Sequence, residues 1–404
     1  MAIEEVVITM IQVVGILFLV PAMLISAYNC FLLVTAFPRP RKSNTSNQPT
    51  DCQFIILIPA HNEEGNISKT LLSCARLDYP ESHYKVCVVA DNCSDRTAEI
   101  VRQHGVLCLE RYDDIKRGKG YALEWAIDQL KDNIDAFVIL DADCMLEQNA
   151  LKVFAASFAK GAGAVQSRYV VANPDESPLS YAQAVGNTIE NDLFYASKSR
   201  LGLAILLRGT GMAIKKAVLS EHPWGAHSIV EDVEYSIGLI RHGVRVDFSS
   251  ETQVLSDFPA TVGQLTVQRK RWATGNLNLG KTQALGLMRD GLVKKNLQLF
   301  DAGWTLLVLS RPLLILFLAI AAVASITSFC FAPTQFSLIL LLGSLGFIAL
   351  NIVYFSVGIA VLGLSFKRLG LLLRTPFTVA RLIGITLAGL MDINNNAWAR
   401  TPRN

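Results

Sequence analysis

The sequence predicts an α/β fold whose central sheet is mostly parallel and covered by helices on both faces, held to a membrane by apolar helices toward both ends of the chain. Three observations predict it. Between Cys52 and Asp143, short continuous apolar runs alternate with segments of helical spacing, the pattern of strands buried on both faces by crossover helices. Polar and acidic residues follow directly on three of those runs, where open α/β sheets bind ligands. Long stretches almost free of charge flank this region on either side.

Residues 6–37 are apolar, interrupted mainly by Pro21, and suffice to cross a hydrocarbon core of roughly 30 Å with some tilt. Glu4 and Glu5 precede the run, and Arg39, Arg41 and Lys42 follow it. A cleaved signal would start basic and end at small residues after a short apolar stretch, so this segment is expected to remain as an anchor. Its basic flank orients it, with the N-terminus outside and everything after Arg39 in the cytosol. Residues 39–51, RPRKSNTSNQPTD, lack periodic hydrophobicity and read as a linker.

FIILIPA (54–60) and KVCVVAD (85–91) then read as strands, with helical spacing in ISKTLLSCARL (67–77) between them. Helical TAEIVRQHG, strand-like VLCLE, helical YALEWAIDQLK and strand-like AFVILDAD (136–143) repeat the alternation. HNE (61–63), DNCSD (91–95) and DAD (141–143) thereby gather at one rim of the sheet. No Gly-x-Gly-x-x-Gly follows the first strand, so the phosphate loop of a dinucleotide fold is missing.

Farther on, apolar runs at 304–329 and 336–366 flank Ala332 and Pro333 as a helical hairpin would, ending at Lys367 and Arg368. Residues 369–391 have spanning length but contain Arg374, Pro376 and Arg381. An interfacial amphipathic helix is preferred there to a fourth span, because it buries no charge and keeps the basic tail inside. The net charge of +3 and the acidic rim argue against nucleic acid as a partner, which needs a broad cationic face. Six of the eight cysteines lie in the segment placed in the cytosol; lacking any CxxC pair, they read as reduced, mostly buried small residues.

Several short stretches carry chemistry. Asp141 and Asp143, on one side of an extended strand, can converge on a hard cation; they suit Mg²⁺ or Mn²⁺, or else a solvated strand end. In RGKGYAL (117–123), glycines and a helix start beside Lys119 suit a phosphate or a plain turn. RGTGMAI (208–214) is a glycine-bracketed turn that could line a channel or form a hairpin. HSIVEDVEY places Glu231, Asp232 and Glu234 in a first helical turn, favoured there by the helix dipole, where Asp232 could also serve as a general base. In TVQRKRWATGN (266–276), Gln268, Arg271 and Trp272 share one face of a helix, while Arg269 and Lys270 face water or lipid phosphates.

The order IPAHNE, ADNCSD, GKGYAL, LDADC, RGTGMAI, VEDVEY, QRKRW, followed by a membrane hairpin, resembles the inverting family 2 glycosyltransferases with a GT-A fold. The likeness is to their membrane-embedded branch, which includes cellulose, hyaluronan and poly-N-acetylglucosamine synthases. The resemblance implies that Ala60, Asn62, Glu63 and Asp91 hold the base and ribose of a nucleotide, with Lys119 nearby. It implies that Asp141 and Asp143 hold a metal and the diphosphate, Asp143 being the surer ligand. Asp232 matches the catalytic base, with Glu231 beside it. Gln268, Arg271 and Trp272 match a QxxRW signature that contacts the diphosphate and the acceptor sugar.

Two departures stand out. Asn92 replaces the second aspartate of a common DDxS pattern, which bears on base recognition. One span before the catalytic region and no long domain after the hairpin bring the architecture nearer to the poly-N-acetylglucosamine and hyaluronan synthases, and to enzymes that glycosylate a lipid once.

The expected organisation is an N-terminal transmembrane helix (1–38), linker (39–51), cytosolic GT-A domain (52–275), interfacial segment (276–300), transmembrane hairpin (301–368), and interfacial helix with basic tail (369–404). The expected activity is metal-dependent transfer from a nucleotide sugar, by resemblance a UDP-sugar, to a growing polysaccharide. The alternative is a single transfer to a lipid or lipid carrier. The expected partners are the donor, a glycan or glycolipid acceptor and the lipid bilayer, with the protein integral to the plasma membrane and its catalytic domain cytosolic. A non-catalytic scaffold is disfavoured, because the motif aspartates and QxxRW residues are all retained.

Overall fold

The computed structural model describes residues 2–37, 51–130, 134–258, 262–308 and 310–391. The expected linker over 39–50 and the tail beyond 391 lie outside the described residues. Helix α1 (Ala2–Thr35) comes first, followed by the alternation read from the sequence: β1 (Phe54–Ala60), α2 (Ile67–Cys74), β2 (Tyr84–Asp91), α3 (Thr97–Gln103), β3 (Leu107–Arg111), α4 (Lys119–Gln129) and β4 (Ala136–Ile139). β1 pairs in parallel with both β2 and β4, and β2 with β3. β1 is therefore central, and its side chains are buried on both faces.

Alternation along β1 explains the layering. Ile55 and Leu57 pack with Leu123, Ala126 and Ile127 of α4. Phe54, Ile56 and Ile58 pack on the opposite face with Leu71 of α2 and Val101 of α3. Successive strand residues point to opposite faces, so one apolar run feeds two cores.

The second half of the sheet is mixed. β5 (Cys144–Leu146), α5 (Ala150–Ala159) and β6 (Ala164–Val171) lead into α6 (Pro178–Thr188), a π-helical segment (Ile189–Tyr195) and α7 (Ala196–Arg200). β7 (Met212–Lys215), α8 (Lys216–Glu221), α9 (Glu231–Arg241) and β8 (Val246–Ser256) complete a sheet of eight strands among the described residues, ordered β3-β2-β1-β4-β7-β6-β8-β5. β7 runs antiparallel to β4 and β6, β5 runs antiparallel to β8, and β6 pairs in parallel with β8. The sheet is thus mostly parallel, as expected.

Five helices follow: α10 (Val262–Val293), α11 (Leu297–Val308), α12 (Arg311–Phe331), α13 (Gln335–Leu362) and α14 (Phe366–Met391). Among the described residues, three helices are long and apolar enough to cross a membrane: α1, α12 and α13. They pack on one another and share polar contacts, with Asn351 Nδ2 donating to Ser26 Oγ at 2.8 Å and the Ser325 and Ser344 hydroxyls 2.9 Å apart.

The apolar run expected to start at residue 304 is split. Trp304 belongs to α11, which packs along α10, and the long apolar helix begins only at Arg311, with Pro312 in its first turn. Proline is well placed in that first turn, where its missing amide hydrogen leaves no helical bond unmade. α13 ends at Gly363, whose φ is +91°. α14 then lies along α6 and α10, clamped by Arg368 Nε to Asp175 Oδ1 at 2.7 Å.

Candidate active site

The rim of the sheet is built first. Asp91 ends β2 opposite Arg111 at the end of β3, and Arg111 Nη1 donates to Asp91 Oδ1 at 2.6 Å with both side chains buried. Burial pushes the Asp91 carboxyl above its ordinary range while Arg111 pulls it back. Asn92, in left-handed backbone at φ +50°, links this pair to the next loop, its Oδ1 accepting from Asp113 N at 2.9 Å. Asn62, likewise left-handed, accepts from Ser94 N at 2.7 Å and Asp95 N at 3.3 Å. Its side-chain oxygen thus ties the first two strand-end loops together.

The two aspartates of DAD do not stand on a strand. β4 ends at Ile139, where the chain leaves its ladder with β1, so Asp141 and Asp143 converge through a turn and not through strand alternation. Asp141 N donates to Thr210 Oγ1 at 3.0 Å, which fixes that turn against the RGTGM loop. The carboxylate oxygens of Asp141 and Asp143 and the sulfur of Cys144 lie within 4.8 Å of one another.

Lys119, at the start of α4, reaches across to this turn. Its Nζ donates to Asp141 Oδ1 at 2.6 Å and to Gly209 O at 2.7 Å, and stands 3.6 Å from Glu231 Oε1. Burial alone would lower its pKa, but the charges of Asp141, Glu231 and Asp232 together raise it, so the ammonium form is secured. Glu231 and Asp232 open α9, as read from VEDVEY, and Ser236 Oγ of the same helix accepts from Leu207 N at 2.8 Å. Burial pushes both carboxyls above the usual carboxylate range, and Lys119 opposes that rise.

Gly209 is where these groups meet. Its φ is +77°, and a Cβ there would stand 3.0 Å from Asp232 Oδ2 and 3.2 Å from Lys119 Nζ. Only glycine allows that backbone so close to both side chains.

A cavity of about 1030 Å³ joins these groups. Ala60, Glu63, Asp91, Lys119, Asp141, Asp143, Glu231, Asp232 and Trp272 all line it. Asn62 is not among the lining residues, consistent with its structural bonding. Gln268 and Arg271 lie on α10, but their side chains fall outside the described residues.

Several lining or supporting groups escape a reading of short motifs. Arg111 could have been found by applying the strand-end rule to β3. Gln166 bridges Arg208 N and Thr210 O, at 2.8 and 2.9 Å. Arg208, Glu190 and Arg311 form a second charged cluster on the cavity wall, Glu190 Oε2 lying 3.3 Å from one guanidinium and 3.5 Å from the other. Arg208 opens the RGTGMAI turn read as a possible channel lining, whereas Glu190 and Arg311 lie far from any such stretch and leave no local signal.

The donor set fits a hard cation at Asp143 and Asp141. Lys119 occupies only Oδ1 of Asp141, leaving carboxylate oxygens of the type Mg²⁺ and Mn²⁺ prefer. Cys144 is a poor third ligand for these ions, since a soft thiol sulfur suits neither Mg²⁺ nor Mn²⁺, which prefer oxygen.

Residues 51–275 match the family described as glycosyltransferase like family 2. A beta-monoglucosyldiacylglycerol synthase of Trichormus variabilis is 28% identical over 250 residues, 60% of this chain and 53% of that protein. A poly-beta-1,6-N-acetyl-D-glucosamine synthase of Staphylococcus epidermidis is 26% identical over 262 residues, 62% of this chain and 60% of that protein. The chain therefore spans little more than half the length of such relatives. Among solved structures, the mannosyltransferase PcManGT from Pyrobaculum calidifontis, in complex with GDP-Man and Mn²⁺, aligns with a TM-score of 0.62 at 17% identity. That alignment covers 95% of this chain and 100% of that one, and shows a shared fold.

Proposed function

The chain belongs to glycosyltransferase family 2, and from that premise we propose that it transfers a sugar from a nucleoside diphosphate donor, a UDP-sugar, to the hydroxyl of a glycan or lipid acceptor, with inversion at the anomeric carbon. The observation that carries this reading is the meeting of Asp232, Lys119 and Asp141 around Gly209 on the wall of one large cavity. Ala60, Glu63 and Asp91 take the base and ribose at the strand ends, with Asn62 shaping the loop and Arg111 holding Asp91. Asp143 and a free oxygen of Asp141 would hold Mg²⁺ or Mn²⁺, and an ion bound there supplies positive charge opposite the departing diphosphate.

Asp232 accepts the proton of the acceptor hydroxyl as its oxygen attacks the anomeric carbon. The bond from that carbon to the diphosphate oxygen breaks, and its electron pair leaves with the nucleoside diphosphate. A single displacement of this kind inverts the centre without a protein nucleophile. Lys119 holds Asp141 and Glu231 in place and opposes the rise that burial imposes on the Glu231 and Asp232 carboxyls. Gln268 and Arg271 contact the diphosphate, and Trp272 offers an aromatic face to the acceptor sugar.

The relatives' names cover both a glycolipid product and a polymer, so sugar transfer is the shared part of the reading. We place the catalytic region (52–275) in the cytosol and the chain in the plasma membrane, with α1, α12 and α13 spanning and α14 interfacial. The test is a panel of labelled nucleotide sugars given to membranes containing the protein, with and without chelator. Transfer that requires Mg²⁺ or Mn²⁺, and falls about 100-fold in Asp143→Asn, supports the proposal. Undiminished transfer in chelator, or failure to bind any nucleotide, contradicts it.

A further inference from the structure

Residues 203–210 lead the chain to and through the Gly209 turn. All are buried except the partly exposed Arg208, yet none belongs to a helix or a strand, β7 beginning only at Met212. Buried backbone amides outside a ladder must find partners elsewhere. Side chains from three elements supply them here. Ala204 N donates to Asp301 Oδ2 at 3.0 Å, Leu207 N to Ser236 Oγ at 2.8 Å and Arg208 N to Gln166 Oε1 at 2.8 Å.

Gln166 holds this segment at two points. Its Nε2 also donates to Thr210 O at 2.9 Å and to Ser167 O at 3.0 Å, so one carboxamide grips the chain on both sides of Gly209. The backbone decides which way the amide lies, because an N–H can only donate and a C=O only accept. Oε1 therefore faces Arg208 N, and Nε2 faces Thr210 O. Gln166 is wholly buried in β6, in register with Met212 of β7 on one side and Phe248 of β8 on the other. Its side chain thus starts from a strand paired along both edges. It is not among the residues lining the cavity, so whatever it does to the reaction it does through the turn.

That turn touches three groups of the proposed reaction. Gly209 packs against Asp232 Oδ2, Gly209 O accepts from Lys119 Nζ at 2.7 Å, and Thr210 Oγ1 accepts from Asp141 N at 3.0 Å. Ser236, one helical turn beyond Asp232, donates to Asp232 O at 2.7 Å while it accepts from Leu207 N. We propose that Gln166 is a positioning residue for sugar transfer, its carboxamide bracketing Gly209 so that the turn holds Asp232, Lys119 and Asp141 at their working separations. This rests on the transferase reading above and adds a residue to its machinery. A displacement of reacting groups by about 1 Å can cost about 100-fold in rate, and a turn without ladder bonds moves by that much when its clamp is lost.

Two substitutions separate this role from one in folding alone. In Gln166→Glu the protonated carboxyl offers one donor and one acceptor, as the amide does, whereas the ionised form only accepts and confronts Thr210 O. A buried carboxyl ionises well above its ordinary range, so the clamp is present in acid and lost as pH rises, while wild-type Gln166 does not titrate. Membranes containing the full-length protein are given labelled UDP-glucose and UDP-N-acetylglucosamine in parallel across the pH range. The ratio of variant to wild-type kcat should lie within about threefold of one near pH 6, fall about 100-fold by about pH 9, and recover when the pH is returned. Gln166→Leu, which makes neither bond, should lose about 100-fold at every pH. A Glu-variant ratio that stays flat with pH, whether near one or uniformly low, overturns the proposal, as does a Leu variant keeping more than about a third of wild-type kcat. A falling ratio matched by loss of folded protein, read by size-exclusion chromatography in detergent at the same pH, assigns Gln166 to folding and also overturns it. Wild-type protein that transfers neither sugar overturns instead the UDP-sugar reading on which the proposal rests.

Discussion

Lys119 is the residue on which the polar end of the cavity turns. Asp141, Glu231 and Asp232 face one ammonium group, and without it three carboxylates would share a site that burial already makes unfavourable for charge. Lys119→Met is therefore expected to raise the pKa of Asp232 and Glu231 further. A general base must be ionised to accept a proton, so the acidic limb of the rate profile should move to higher pH and transfer at neutral pH should fall about 100-fold. A kcat profile against pH checks this; an unshifted acidic limb would mean Lys119 does not govern the base. At this scale the sequence was legible in bringing Asp143, Asp232 and Trp272 together, since all three line one cavity; their roles there belong to the proposed reaction. The bonding of Asn62 was not, because its side-chain oxygen accepts from the Ser94 and Asp95 amides 32 and 33 residues away. Glu190 and Arg311 were not either, since their pairing joins the π-helical segment to the start of α12.

Elements were easier to read where periodicity alone decides them. β1, β2 and β3 and the helices between them follow from continuous apolar runs alternating with helical spacing. The stretch from 136 to 143 was read as one strand, yet the sheet pairs it only to Ile139, because pairing depends on the neighbour's register as well as on composition. Likewise the apolar run from 304 conceals a break, since α11 is apolar enough to merge with α12 in a hydropathy reading. Polar residues inside α11 explain why it belongs with the catalytic domain. Asp301 accepts from Tyr28 Oη of α1 at 2.5 Å and from Ala204 N at 3.0 Å, and pairs with Lys198 of α7 at 2.9 Å. Burial pulls the Lys198 pKa down against the opposing charge of Asp301. Lys198→Met leaves the Asp301 carboxylate buried and unpaired, and should destabilise the protein by about 3–5 kcal/mol. Denaturant unfolding in detergent measures it; a change below about 1 kcal/mol would mean that water reaches Asp301.

Over the whole molecule, the apolar cluster that includes the sheet's α4 face also takes in Ala22 and Leu32 of α1 and Leu314 and Leu318 of α12. The helices that would cross the membrane are therefore packed into the same core that positions the catalytic rim, and Arg368 fastens α14 to the loop at Asp175. Such a body holds the strand-end rim and the membrane-length helices together, with Asp232 on the wall of the cavity they share. Asp232→Asn tests that account most directly. It removes the base and preserves the side chain's size, so sugar transfer should fall at least about 1,000-fold while nucleotide affinity stays within about threefold. Transfer that survives the substitution, or nucleotide binding lost together with transfer, would contradict it.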